Sequence, residues 1–284
     1  TSAIEHPSVS NPSRWLGESG WEVLELGVDA DGRVELDAAR GAIGSETRLV
    51  SVMHANNETG VIQPISEIAA LARSAGAIAH TDASQTVGKL PVDVDDLGVD
   101  LLSIAGHKMY APKGVGALFV REGTEIEPVL AGAGQEDGLR PGTENVASVL
   151  GLGKACELAA QQLDERVEHM RNMRERLWKR LHARLDGMVR HGSPEQCLPN
   201  TLNVSFPGVR GEMLLDACGN DIAASTGSAC HENSDEPSDV LLAMGVEPEV
   251  AMGSIRLSVG VDTTPEEVAE AADTLVHAHS DVSS

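Results

Sequence analysis

Leu101-Leu102-Ser103-Ile104-Ala105-Gly106-His107-Lys108-Met109-Tyr110-Ala111-Pro112-Lys113-Gly114-Val115-Gly116-Ala117-Leu118-Phe119-Val120 decides the fold of this chain. Residues 101–104 form an apolar run of the length of a buried strand. A polar pair, His107 and Lys108, follows it, and Pro112-Lys113-Gly114 then marks a turn. Residues 115–121 are apolar again and predict a strand returning antiparallel or at a sheet edge. Working outward, residues 49–54 and 77–82 read as two further strands. Between them, residues 65–75 carry apolar side chains at helical spacing and stop before Gly76. This alternation runs from residue 1 to about 150 and predicts an α/β fold, a mostly parallel sheet covered by helices.

Polar residues collect immediately after these strands: Asn56 and Asn57 after the first, Asp82 and Gln85 after the second, His107 and Lys108 after the third. In open α/β sheets the carboxyl ends of the strands form the ligand crevice, so three consecutive strands aim chemistry at one place. Lys108 is expected to be desolvated, boxed in by apolar residues and a histidine. Such an amine loses part of its preference for the ammonium form and can condense with an aldehyde. The chain has only five lysines: Lys154 and Lys179 sit in charge-rich helical sequence, Lys113 in a Pro/Gly turn, and Lys89 before a Leu-Pro turn. A lysine after an apolar run is also an ordinary strand-end residue. Asp82, after an apolar strand and a histidine, reads either as a helix N-cap or as a carboxylate paired with a ring nitrogen.

The 284 residues predict one large domain and a smaller one, and an apolar share of 41% with 23% charge is that of a globular protein. No apolar run approaches the roughly 20 residues of a membrane helix, and no signal-peptide pattern opens the sequence, so the expectation is a cytoplasmic protein without a membrane partner. Acidic residues outnumber basic ones 44 to 21, a net charge of -23 that would repel a phosphate backbone and disfavours nucleic acid as a partner. The four cysteines, Cys156, Cys197, Cys218 and Cys230, have no C-x-x-C spacing and indicate neither a zinc site nor a redox dithiol. The first three read as packing residues. Cys230 differs: it follows Ser225-Thr226-Gly227-Ser228-Ala229 and precedes a polar run, the setting of a thiol on an exposed loop.

Residues 151–185 predict a long helix or helix pair connecting two domains, expected to divide near 1–160 and 161–284. Residues 201–206, 222–225 and 254–259 read as strands, 211–218 as a helix, and Thr264-Pro265-Glu266-Glu267 as the cap of a closing helix. Residues 1–6 look like the end of a strand.

Four runs, in order, carry a family resemblance: His80-Thr81-Asp82-Ala83-Ser84-Gln85-Thr86-Val87-Gly88-Lys89, Gly106-His107-Lys108-Met109-Tyr110-Ala111-Pro112-Lys113-Gly114, Arg140-Pro141-Gly142-Thr143-Glu144-Asn145 and Ser225-Thr226-Gly227-Ser228-Ala229-Cys230. Together they resemble the NifS/IscS class of cysteine desulfurases and the related selenocysteine lyases. The resemblance implies a pyridoxal 5'-phosphate (PLP)-dependent transferase fold of the aspartate aminotransferase type, with a large domain and a smaller C-terminal α+β domain carrying the cysteine loop. It implies that Lys108 holds the cofactor and moves the Cα proton, that Asp82 pairs with the pyridine nitrogen, and that Gln85 hydrogen-bonds the ring hydroxyl. His6 would stack on the ring, Asn57 would reach the ring oxygen and the substrate carboxylate, His107 the phosphate, and Thr143 the phosphate of a neighbouring subunit in a homodimer. Arg256 would clamp the substrate carboxylate through its planar donor fork. Cys230 would take sulfur from L-cysteine as a persulfide, release L-alanine, and pass the sulfur to an acceptor protein for iron-sulfur clusters or thio-modification.

Two departures accompany the resemblance. Ala105 stands where many of these enzymes carry a phosphate-binding serine, and residues 1–284 hold no Gly-Gly-Thr-Glu-like phosphate loop, so a preceding segment is expected. Selenocysteine lyase remains the alternative within the fold. A noncatalytic sulfur relay that keeps Cys230 is the alternative of another class.

Overall fold

The computed structural model describes residues 1–226 and 236–283. In chain order the elements are α1 (Pro7–Glu18), α2 (Leu36–Ala42), β1 (Leu49–Ser51), α3 (Ile65–Ala75), β2 (Ile78–Asp82), α4 (Val94–Leu97), β3 (Leu101–Ala105), a 3₁₀ turn (Gly106–Met109) and β4 (Gly116–Val120). Then follow α5 (Val146–Gln161), α6 (Leu163–His182), β5 (Val189–Arg190), β6 (Thr201–Ser205), α7 (Gly211–Cys218), α8 (Asp239–Ala243), α9 (Pro248–Met252), β7 (Ser254–Ser258) and α10 (Pro265–Val282). The first sheet has the order β1-β2-β3-β4, with β1, β2 and β3 parallel and β4 antiparallel at the edge. A second sheet, β5-β6-β7, is antiparallel.

Local chemistry explains the boundaries. Helix α3 buries Ile65, Ile68, Ala69 and Ala72 on one face, carries Glu67 in its first turn and Arg73 in its last, and ends where Gly76 takes a left-handed conformation at φ 74°. Helix α10 starts on Pro265 behind a full capping box between Thr264 and Glu267. The long helical stretch divides at Gln162, whose φ of -120° and ψ of 14° interrupt it.

Several expectations need correction. The strand expected over residues 49–54 is regular only to Ser51; Val52 and His54 still donate to the carbonyls of His80 and Asp82, so the segment stays paired beyond it. The strand expected over residues 222–225 reduces to one bridge, Ser225 to Arg256. At the start, only Ser2 bridges, to Leu26, and α1 follows at once. Its Pro and Ser content hides it from propensity, but Pro7 suits a first helical position and the His6 ring caps the turn. Cys156 is exposed rather than packed, while Cys197 and Cys218 are buried.

Two apolar cores flank the break at Gln162. One gathers Val50, Val52, Ile68, Ala72, Ala79 and Leu102 around the first sheet; α5 adds Leu152, Ala155 and Ala159 against Met109. The other packs α6, α7 and α10 onto the second sheet through Met170, Leu177, Leu181, Leu214, Ile255 and Leu275. A small cluster of Ile4, Met53, Val240 and Leu241 joins the two parts. The guanidinium of Arg174, 2% exposed, is held by the carbonyls of Leu198 (2.6 Å) and Pro194 (3.0 Å) and by Glu175, which satisfies an otherwise costly buried charge. No described helix is long and apolar enough to cross a membrane.

Candidate active site

The carboxyl ends of β2 and β3 open side by side, and the residues that follow them build the site. Asp82, the last residue of β2, is buried. One carboxylate oxygen accepts the Ser84 N–H at 2.8 Å; the other accepts no hydrogen bond from the described residues. The Asp82 carbonyl accepts from the His54 N–H at 2.9 Å, which locks the strand end to the segment after β1. Asp82 therefore caps the turn that follows it, through one oxygen, and leaves the other without a hydrogen bond among the described residues.

His6 shares the electrostatics of this place. Burial pulls its pKa down, the Asp82 carboxylate opposes that, and the Lys108 ammonium adds to it. The ring is oriented from its own helix: Nδ1 accepts the Ser8 N–H at 3.1 Å and lies 2.8 Å from the Ser8 hydroxyl. The segment before it is fastened to the loop after β1. Asn56 donates to the Ile4 carbonyl at 2.9 Å, and the Glu5 carboxylate accepts from Ser2 and from the Met53 N–H. Burial raises the Glu5 pKa to about 7, and its second oxygen has no hydrogen-bond partner among the described residues.

Lys108 lies on the 3₁₀ turn after β3, as its place in the sequence implies, but it is exposed. The expectation of a desolvated lysine is thereby corrected. Met109 and Gly106 turn inward, and His107 and Lys108 turn outward with the tight winding. The turn sits hard against β4: a Cβ on Gly106 would come within 2.7 Å of the Val115 carbonyl, so only glycine fits. The buried lysine is Lys89, 7% exposed, which donates from Nζ to the carbonyls of Gln85 (3.0 Å) and Lys108 (3.2 Å). Burial, with a smaller contribution from the Lys108 charge, lowers its pKa to about 8. Gln85 is half-buried in the turn after β2. His80, within β2, serves the scaffold, its two ring nitrogens lying against the Ser51 and Ser103 hydroxyls.

Arg256 arrives from the second sheet. It lies on β7 opposite Asn203 of β6, and its Nη1 donates to the Asn57 carbonyl at 3.0 Å. Asn57 and Arg256 thus meet across 199 positions of sequence. Next to them Glu58 is buried, accepting the Ser238 hydroxyl. Burial raises its pKa to about 7; the Ser238 bond and Arg256 oppose the shift, and Asp239 adds to it.

The structure brings His6, Asp82 and Lys108 into one electrostatic neighbourhood, ties Gln85 to Lys108 through Lys89, and joins Asn57 to Arg256. His107 stands exposed beside Lys108; Thr143 is exposed in the loop before α5 and hydrogen-bonds none of the others. Cys230 lies outside the described residues. Glu5 and Glu58 were given no role by the sequence reading, Asn56 was placed with Asn57 after the first strand but given no role of its own, and Lys89 was read only as a turn residue.

Residues 1–270 match the aminotransferase class-V family. The chain is 45% identical over 276 residues to a cysteine desulfurase, IscS, of Dictyoglomus turgidum, covering 97% of this chain and 70% of that protein. Among solved structures, a NifS-like protein superposes with a TM-score of 0.90 at 37% identity, covering 99% of this chain and 74% of the other. A structure of SspA in complex with cysteine gives a TM-score of 0.77 at 34% identity, over 93% of this chain and 73% of the other. With Lys108 and Asp82 at the ends of adjacent parallel strands and the family pattern running through nearly all of the sequence, this chain belongs to the aminotransferase class-V family, among its PLP-dependent cysteine desulfurases.

Proposed function

We propose that this chain is a PLP-dependent cysteine desulfurase that converts L-cysteine to L-alanine and keeps the sulfur as a persulfide on Cys230. The observation that carries it is the shared neighbourhood of Lys108, Asp82 and His6, with Arg256 brought to Asn57 beside it. The donor set fits the cofactor's ring: an exposed amine for its aldehyde, a buried carboxylate with a spare oxygen for its ring N–H, and a half-buried imidazole for its face. For the phosphate, His107 is the described residue at hand, and Ala105 brings no hydroxyl.

PLP, when bound, supplies an electron sink that makes the Cα proton of an amino acid removable. Asp82 would hold a proton on the ring nitrogen, because a buried anion favours the cationic ring. Gln85 would donate to the ring oxygen, and His6 would cover the ring and exclude water. Arg256 would take the substrate carboxylate in its planar fork, with Asn57 beside it. Lys108, exposed on its turn, would hold the cofactor's aldehyde and would take the proton at Cα and return one to the product. Cys230 Sγ would take the substrate sulfur as the carbon-sulfur bond breaks, and alanine leaves.

The same proposal includes a homodimer in which Thr143 reaches the neighbouring subunit's phosphate, an acceptor protein for the sulfur, and a cytoplasmic setting. The dimer is supported by exposed apolar residues around the Thr143 loop: Val129 (96%), Leu130 (61%) and Leu150 (69%). It also includes a division into residues 1–160 and 161–284, supported by the separate cores either side of Gln162. The test is mass spectrometry after L-cysteine is added to the PLP-loaded protein. A gain of one sulfur on the Cys230 peptide is expected, together with alanine release and a near-visible absorbance band that Lys108→Ala abolishes. Alanine from L-selenocysteine alone would sink the desulfurase reading.

A further inference from the structure

Lys89 is a buried lysine outside the machinery described so far. No carboxylate pairs with it among the described residues; the charged group it faces is another cation, Lys108. A buried ammonium without a counter-ion is destabilising, and an apolar side chain of similar length would fill the same space without that cost. What Lys89 does have is two carbonyls, those of Gln85 at 3.0 Å and Lys108 at 3.2 Å. Among the described residues neither carbonyl accepts any other hydrogen bond.

The two carbonyls belong to different turns. One turn follows β2 and presents Gln85; the other is the 3₁₀ turn after β3 and presents Lys108. Parallel pairing fixes the strands only as far as Asp82 against Ser103. One further backbone bond, Ala83 N–H to the Ser103 carbonyl, follows, and beyond it the Lys89 Nζ links the two turns where the site residues emerge. Charge-assisted hydrogen bonds to carbonyls are stronger than neutral ones, which suits an ammonium to this clasp.

We propose that Lys89 is a positioning residue: its buried ammonium clasps the turns after β2 and β3 and so sets the distance between Gln85 and Lys108. The proposal rests on the desulfurase reading and deepens it. Both Lys89 bonds go to main-chain carbonyls, so its action would run through Gln85 and Lys108, the residues assigned to the cofactor.

Lys89→Met keeps the apolar stem and removes the clasp. Three measurements test it. In the cofactor-free protein, amide hydrogen exchange should quicken at least tenfold in residues 84–90 and 106–111 and stay unchanged in β7. Titration should show PLP affinity falling at least tenfold, and falling several-fold less for 4'-deoxypyridoxine 5'-phosphate, which lacks the aldehyde and makes no use of the Lys108 amine. In the loaded enzyme kcat should fall at least tenfold, with KM for L-cysteine within about threefold, because Arg256 and Asn57 sit on other elements.

Wild-type exchange in both turns overturns the proposal. So do equal losses for the two cofactor forms, which mark mere support of the fold, and a kcat within twofold of the parent. Lys89→Gln, which keeps a neutral donor, should show smaller shifts in the same direction. If Lys89→Met does not fold, wild-type values from Lys89→Gln overturn the proposal. Failure of the unsubstituted protein to bind PLP removes the desulfurase reading instead, and the exchange comparison still decides the role of Lys89.

Discussion

Among the described residues, four buried side chains with strongly shifted pKa values pull the acid response in opposite directions. Glu5 and Glu58 have pKa values raised from 4.5 to about 7 by burial. Between those values the folded state holds protons that the unfolded state has released, so each carboxyl makes stability fall as pH rises through the window. His54 and His191 have pKa values lowered from 6.5 to about 4, also by burial. There the unfolded state binds the extra protons, and stability rises with pH between 4 and 6.5. Each shift corresponds to about 3 kcal/mol across its window, so the two kinds largely offset one another. Replacing both carboxyls, Glu5→Gln with Glu58→Gln, should therefore uncover a rise of several kcal/mol from pH 4.5 to 6.5, read as urea midpoints at each pH. A double variant no steeper than the parent refutes this assignment. At this scale the sequence made Asp82 and Lys108 legible, since each follows a strand in a recognisable run. It did not show which lysine is buried. Lys89 precedes a Leu-Pro pair and reads as a surface turn, and only the approach of the 3₁₀ turn covers it.

Elements with explicit end signals were the most legible. Helices α3 and α7 span the residues their periodicity implies, and α10 begins at its cap. Thr264→Ala removes the hydroxyl that accepts the Glu267 N–H and should cost about 1 kcal/mol, measured by thermal or urea unfolding. The reciprocal half of the box, Thr264 N–H to the Glu267 carboxylate, is left in place by this change. Helix α1 was missed for the opposite reason: its sequence, with Pro7 and Pro12 among serines, has poor propensity, and it exists because Pro7 sits at the start and His6 caps it. The short bridge at Ser225 was overread as a strand because a four-residue apolar run does not reveal whether a neighbour continues beside it.

At the scale of the molecule, Val129, Leu130, Val146, Val149 and Leu150 leave large apolar side chains exposed in the segment before α5 and on its first turns. A patch of this kind on a net charge of -23 is the expected seat of a second copy. Sedimentation should give a dimer for the parent chain, and Val129→Glu with Leu150→Glu should shift it toward monomer at micromolar concentration. A monomeric parent removes the shared-site role of Thr143 and leaves the assignments of Lys108 and Asp82 standing.

The sequence alone determined the alternation of strands and helices, the family, and the order in which the candidate residues leave the sheet. All of these depend on neighbours within a few positions, where hydrophobic period and turn chemistry act directly. The tertiary structure decided which groups are dry and which partners meet. Arg256 reaches Asn57 from the other sheet, Glu58 is sealed under Ser238, and Lys89 disappears beneath the turn that leaves Lys108 in the open. Burial is set by what folds over a residue from elsewhere in the chain, so two lysines nineteen positions apart became one buried amine and one exposed one without local sequence marking which was which.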